Sequence, residues 1–252
     1  MNIENTIRPV LCTTGHEPCQ GAWFGSGVLV KKQAHYFVTA FHTLDKYGKH
    51  VRDLRIISRL GSDQLIPQRH GIRTHIDDTH NYEDIILVRL DSFFIIESGL
   101  DGQFWNLSDM DRNLQEGDDA IILGFPEPEQ TLDYENNSGT YCPILIKGTV
   151  AAIDNIEKMI VINTPSSIPL TSFNDLSGGA VYKMNQNHPL GISLGGIILQ
   201  GGRAANIIRA LSVSCLLNII DYYEANHFKD DLAKDKLLRM KQDSDAPQGP
   251  NS

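Results

Sequence analysis

Short apolar runs between polar, turn-bearing stretches fill most of this chain. Runs at 27–30, 36–40, 54–58, 84–90, 120–124, 145–153, 159–163, 180–182, 196–200 and 207–213 are rich in Val, Ile and Leu. Such runs, bounded by turn residues, predict β-strands, and many of them at regular intervals predict a sandwich or barrel. Helical spacing is nearly absent before residue 212. The pattern changes at 215–224, where Leu216, Leu217, Ile219, Ile220 and Tyr223 share one face of a helix. This helix is expected to pack on a barrel and close the domain. Beyond it, Leu232, Leu237 and Leu238 form only a weak apolar set, and 226–252 reads as a charged, disordered tail. The polar, turn-like stretch near 105–117 is the natural boundary. It divides an N-terminal unit, 1–110, from a C-terminal unit, 111–225.

Composition narrows the partners. The 252 residues fit one large domain or two small ones. Hydrophobic content of 41% and charged content of 21% are ordinary for a globular chain, and 21 glycines suit a turn-rich all-β one. A net charge of −9 without a basic patch argues against a nucleic-acid partner. The start, Met1-Asn2-Ile3-Glu4-Asn5-Thr6, lacks the basic and apolar regions of a secretory signal. No stretch approaches the roughly 20 apolar residues of a membrane span. A cytoplasmic location is therefore expected, with Cys12, Cys19, Cys142 and Cys215 as free thiols.

Three segments carry candidate chemistry. His42 follows the apolar run Tyr36-Phe37-Val38-Thr39-Ala40, which would present an imidazole at a strand end. Asp84 opens Ile85-Ile86-Leu87-Val88, and a carboxylate at the mouth of a buried strand can orient a neutral His. Ser177 precedes Gly178 and Gly179 and then a strand, Ala180-Val181-Tyr182. A nucleophilic serine needs a tight turn that exposes Oγ, and glycines permit one. His, Asp and Ser occur in that order, 42 and 93 residues apart. Base, orienter and nucleophile follow the same order in the template serine-protease triad, at about 45 and about 93 residues.

With these residues the chain resembles a trypsin-like serine peptidase of the chymotrypsin fold, of the bacterial, intracellular kind. Gly25-Ser26-Gly27-Val28-Leu29-Val30 resembles the family's early glycine-rich strand. Thr39-Ala40-Phe41-His42 and Glu83-Asp84-Ile85-Ile86-Leu87 resemble its His and Asp segments. Ala120-Ile121-Ile122-Leu123-Gly124-Phe125-Pro126, Gly148-Thr149-Val150 and Gly196-Ile197-Ile198-Leu199-Gln200-Gly201 are similar to strands of its second barrel. The resemblance spans roughly 8–225.

It implies an all-β fold: two six-stranded antiparallel β-barrels packed together, with a C-terminal helix. His42 and Asp84 would sit on the first barrel and Ser177 on the second, and the site would assemble between them. The implied activity is serine endopeptidase cleavage of a protein substrate. His42 would act as base and acid, Asp84 as orienter, and Ser177 as the residue that forms an acyl-enzyme. Backbone N–H groups of Asp175 and Ser177 would form the oxyanion hole. Thr171 and Ser172 would lie at the base of the first pocket, with Leu199 and Gln200 on its wall. No acidic side chain stands at that base, so small, apolar or amide side chains are favoured over Arg or Lys. No cofactor or metal is implied.

One departure changes the picture. The family has Gly-Asp before Ser-Gly-Gly, and this chain has Asp175-Leu176. Asp tolerates the left-handed backbone better than most residues. Its carboxylate would oppose an oxyanion if it turned inward. This motivates an alternative: an impaired fold, or one activated by a protein partner, that acts as a peptide-binding module. Leu176 also removes the carboxylate that pairs with a freed N-terminus in zymogen-activated members.

Other constellations are weaker. Cys12, His16 and Cys19, with Cys142 as a fourth ligand, are short of a complete zinc pattern. His70, His75, Asp77, Asp78 and His80 read as a solvated loop before Asp84. An α/β-hydrolase requires its acid and His after the serine, and neither His188 nor His227 follows a convincing strand.

Overall fold

In the longer apolar strands of the N-terminal half, one side-chain parity faces the unit's own interior and the other faces a shared seam. This follows from the period-two geometry of extended chain. The computed structural model describes residues 3–12, 23–45, 54–59, 62–65, 71–73, 84–90, 92–107, 114–126, 130–133, 138–141, 143–154, 158–165, 176–187, 190–202 and 206–226.

A 3₁₀ turn at Ile3–Thr6 leads into the first unit. It comprises β1 (Ile7–Cys12), β2 (Trp23–Lys31), β3 (His35–Ala40), a single turn α1 (His42–Asp45), β4 (Leu54–Arg59), β5 (Ser62–Leu65), β6 (Gly71–Arg73), β7 (Ile85–Leu90), α2 (Ser92–Glu97) and β8 (Trp105–Asn106). Its sheet runs β5-β4-β1-β2-β3-β7-β6, with β8 parallel to β2. The second unit comprises β9 (Asp119–Gly124), β10 (Gln130–Asp133), β11 (Ser138–Tyr141), β12 (Ile144–Asp154), β13 (Met159–Asn163), β14 (Ala180–Met184), β15 (Ile192–Gly202) and β16 (Ile207–Ser212), followed by α3 (Val213–Asn226). Six of these close into a barrel, β12-β13-β16-β15-β14-β9, and β10 pairs with β11 apart from it.

Three apolar cores result. Leu29, Phe37, Ile86 and Val88 fill the N-terminal unit with Phe94 and Ile95 of α2. Ile122, Ile146, Ile160, Val181 and Ile198 fill the C-terminal barrel. The seam takes Val28, Val38, Ile85 and Leu87 from one side and Leu123, Ala180, Tyr182 and Ile197 from the other. Because β3 and β7 are buried on both faces, they read in sequence as continuous apolar runs rather than alternating ones. Trp105 packs on Tyr182 across the seam, with ring centroids 5.3 Å apart. The Tyr182 hydroxyl is 2.7 Å from Thr6 Oγ1.

The predicted helix is present and extends by two residues at each end. Leu216, Ile219, Ile220 and Tyr223 of α3 enter the seam core. Its last turn holds the β2–β3 connection. Glu224, buried at 6% exposure, accepts from the Tyr36 hydroxyl at 2.9 Å and from Gln33 N–H at 3.1 Å. Lys32 pairs with Asp221 beside it. Among the described residues no helix is long and apolar enough to cross a membrane.

The all-β architecture of two packed units with a closing helix is as expected. The N-terminal sheet carries eight strands, because short pieces join it at its edges and on β2. Several elements have no signature in the sequence. Pro9 and Arg8 interrupt the apolar pattern of β1, and β5, β6, β10 and β11 are only three or four residues long. Before 212, where helical spacing is nearly absent, the described residues hold only the single turn α1 and the six-residue α2 as α-helix. In α2, Phe93 and Ile96 are exposed while Phe94 and Ile95 are buried, so its apolar residues do not mark a single face. The weak apolar set of Leu232, Leu237 and Leu238, and the rest of the tail beyond Asn226, lie outside the described residues.

Burial, followed by the charge of Glu224, pushes the Tyr36 hydroxyl far above its usual pKa of 10.0. Native Tyr36 therefore keeps its proton where the unfolded chain releases it, and stability contributed by this group falls as pH rises beyond about 10. Denaturant unfolding across pH 8.5–11.5 is expected to show a shallower alkaline loss for Tyr36→Phe than for the wild type. Identical slopes would count against this account.

Candidate active site

The register of two strands places the first pair. Ala40 at the end of β3 lies opposite Ile85 at the start of β7. Continuing one step brings Phe41 and then His42 beside Asp84. Phe41 N–H donates to the Asp84 carbonyl at 3.0 Å. His42 N–H donates to Asp84 Oδ1 at 2.7 Å, and His42 Nδ1 lies 2.5 Å from Asp84 Oδ2. One carboxylate thus holds both the backbone and the ring of one residue. With Nδ1–H donating to the carboxylate, Nε2 keeps its lone pair and points onward. The side chains of His42 and Asp84 are 41% and 36% exposed, so solvent screens their pairing until something covers them.

Ser177 comes from the other unit. Its turn is held by bonds from Gly178 N–H to the Ile198 carbonyl (2.7 Å), Gly179 N–H to the Leu176 carbonyl (2.8 Å) and Ile198 N–H to the Gly179 carbonyl (2.8 Å). Gly178 is required on two counts. Its φ is +85°, and a Cβ there would lie 1.9 Å from the Ser26 carbonyl oxygen. Leu176, just before the serine, is fully buried in the C-terminal barrel core. The turn therefore sends Leu176 into the barrel and Ser177 towards the seam.

These placements bring Ser177 Oγ within 2.9 Å of His42 Nε2. The same oxygen is 3.2 Å from the Leu199 carbonyl. Leu199 lies at a break in the β15–β16 register between Ile198 and Gln200, and a bulge of this kind re-aims a strand's backbone locally. The hydroxyl has one proton and two acceptors, of which the imidazole is the nearer. Transfer of that proton to Nε2 would leave an alkoxide at Oγ and an imidazolium facing the Asp84 carboxylate.

The structure thus brings together His42, Asp84, Ser177 and the backbone of Leu199, while Gln200 is exposed on the same strand. Thr171, Ser172 and Asp175 lie outside the described residues, as do His16, Cys19, Cys142 and the cluster from His70 to His80. Among the described residues no three ligating side chains form a metal site. Sequence reasoning did not single out the role of Ser26, which touches the Ser177 turn directly. The glycines on either side of it were the available signal.

No protein-family model matches the sequence, and no curated protein matches it. Solved structures do. The inactivated protease paralogue S-I1 of the scabies mite aligns over 88% of this chain and 97% of its own, with TM-score 0.51 and 15% identity. The structure of GrC aligns over 90% of this chain and 97% of its own, with TM-score 0.57 and 14% identity. These likenesses, together with the closed barrel, second sheet and closing helix, establish the chymotrypsin-like fold.

Two glycines separate steric crowding from backbone strain. Gly191 has φ +71° but nothing within 4 Å of a would-be Cβ, so Gly191→Ala is expected to cost about 1–2 kcal/mol. Gly178→Ala adds overpacking against Ser26 and is expected to cost about 2–5 kcal/mol. Urea unfolding of the two variants checks the ranking; equal losses would contradict it.

Proposed function

We propose that this chain is a serine endopeptidase acting through His42, Asp84 and Ser177. The observation that carries the reading is the His42 ring, which bridges Asp84 Oδ2 at 2.5 Å and Ser177 Oγ at 2.9 Å. In the proposed reaction His42 Nε2 takes the Ser177 proton as Oγ attacks a peptide carbonyl. His42 then gives that proton to the leaving amine. Water, deprotonated by the same nitrogen, releases the acyl group. Asp84 accepts Nδ1–H throughout and stabilises the imidazolium. The N–H groups of Ser177 and Asp175 are the proposed donors to the oxyanion.

The substrate is proposed to bind as an extended strand along 199–202. Pairing of β15 with β14 reaches only Ile197, whereas pairing with β16 continues to Gly202. Peptides commonly add to a sheet at an edge of this kind. Thr171, Ser172, Leu199 and Gln200 are the proposed pocket residues. Leu176, buried among barrel side chains, supports a site that forms without an N-terminal charge to pair with it. Cys215 is buried and in no disulfide, which accords with the proposed reducing, cytoplasmic setting.

The alternative, a binding module or a peptidase awaiting a protein activator, rests on Asp175 in place of the family's glycine. Labelling with a fluorophosphonate probe separates the readings. The peptidase reading expects a wild-type adduct at Ser177 and none in Ser177→Ala or His42→Ala. Asp84→Asn should lower kcat on a peptide by about 10⁴. A folded wild type that never labels would sink the constitutive peptidase, and labelling only with added partner would favour the activated form.

A further inference from the structure

Ser26 lies on β2 and is fully buried. Each of its three polar positions is tied to a different part of the site. Its N–H donates to the Ser177 carbonyl at 2.8 Å. Its carbonyl accepts from Thr39 Oγ1 at 2.7 Å. Its Oγ accepts from Phe125 N–H, just past β9, at 2.8 Å.

The ladder explains why Ser26 is available. Pairing of β2 with β3 stops at Gly27 opposite Thr39. One step further, Ser26 would face Ala40. There the Ser26 N–H turns to Ser177 instead, and Ala40 pairs with Ile85 on its other side. Two residues beyond Ala40 the chain reaches His42. The split ladder therefore carries the imidazole on one branch and the serine turn on the other.

Packing locks the same point. A Cβ on Gly178 would meet both the Ser26 carbonyl oxygen (1.9 Å) and Thr39 Oγ1 (2.5 Å), so the turn rests directly on this pair. A Cβ on Gly124 would meet Ser26 Oγ at 3.0 Å and Leu176 Cδ2 at 2.9 Å, so the end of β9 is wedged between Ser26 and the residue before the serine.

We propose that Ser26 is a positioning residue: with Thr39 it seats the Ser177 turn on the N-terminal sheet and sets the reach of Oγ to His42. The proposal rests on Ser177 being the nucleophile. Ser26 does not touch a substrate. It acts through the Ser177 carbonyl and the Phe125 amide, and a displacement near 1 Å at a reacting group costs on the order of 10²-fold in rate.

The test uses the full chain with Ser26→Ala, which removes the acceptor for Phe125, and the isosteric Thr39→Val, which removes the donor to Ser26. Ile56→Val, in the N-terminal core, measures what core trimming alone does. Where the wild type labels, the maximal inactivation rate by a fluorophosphonate is expected to fall about 10- to 100-fold in both site variants with probe affinity unchanged. Wild-type rates in both, or losses no larger than in Ile56→Val, would overturn the proposal. If Ser26→Ala does not fold, Thr39→Val alone decides. If the wild type never labels, the peptidase reading fails by itself and the seat is judged by ¹⁵N NMR of the His42 ring. The Nε2 shift of Ser26→Ala should then move towards that of Ser177→Ala, and an unmoved shift would overturn the seat as well.

Discussion

The His42 ring spans two independently built units, so its 2.9 Å contact with Ser177 depends on how those units are packed. A hydrogen bond of this kind weakens steeply once distance or angle drifts. The seam that sets the distance is apolar, buried and contributed to by both sheets and by α3. Close-packed interiors do not slide without opening voids. Glu224 adds polar register by accepting from Tyr36 and from the β2–β3 turn, which fixes the helix against β3, the strand that ends two residues before His42.

The Asp84 carboxylate takes two N–H groups of His42, backbone and ring, which anchors the imidazole. Across the seam, the serine turn is held by backbone hydrogen bonds, by Ser26 and by Leu176 inside the barrel. Hydrophobic anchoring of this turn is insensitive to ionic strength, whereas an ion pair at the same place would not be.

Much of the site was legible because its parts are local. A strand followed closely by His, an Asp just before an apolar strand and a Ser-Gly-Gly turn each occupy a few consecutive residues, and they lie beside the ends of β3, β7 and β14. The glycine requirement at 178 was readable for the same reason. Other features left little trace. The polar strands β5, β6, β10 and β11 are three or four residues long, too short to show a period even though each pairs with a near neighbour, and the short helix α2 depends on packing partners such as Leu29 and Phe37 far away in sequence. Glu224 reads as an ordinary helix-surface acid, yet it is buried against residues about 190 positions earlier. Ser26 reads as a small residue between glycines.

The chain by itself determined the strand-rich class, the closing helix, and the order and immediate setting of His42, Asp84 and Ser177, because side-chain periodicity and turn chemistry act over a few neighbouring residues. Tertiary structure alone decided that the three meet, that the Leu199 carbonyl joins them, and that Ser26 ties one unit to the other. Those contacts link residues separated by 22 to 151 positions. They follow from strand register and seam packing, which no local pattern encodes.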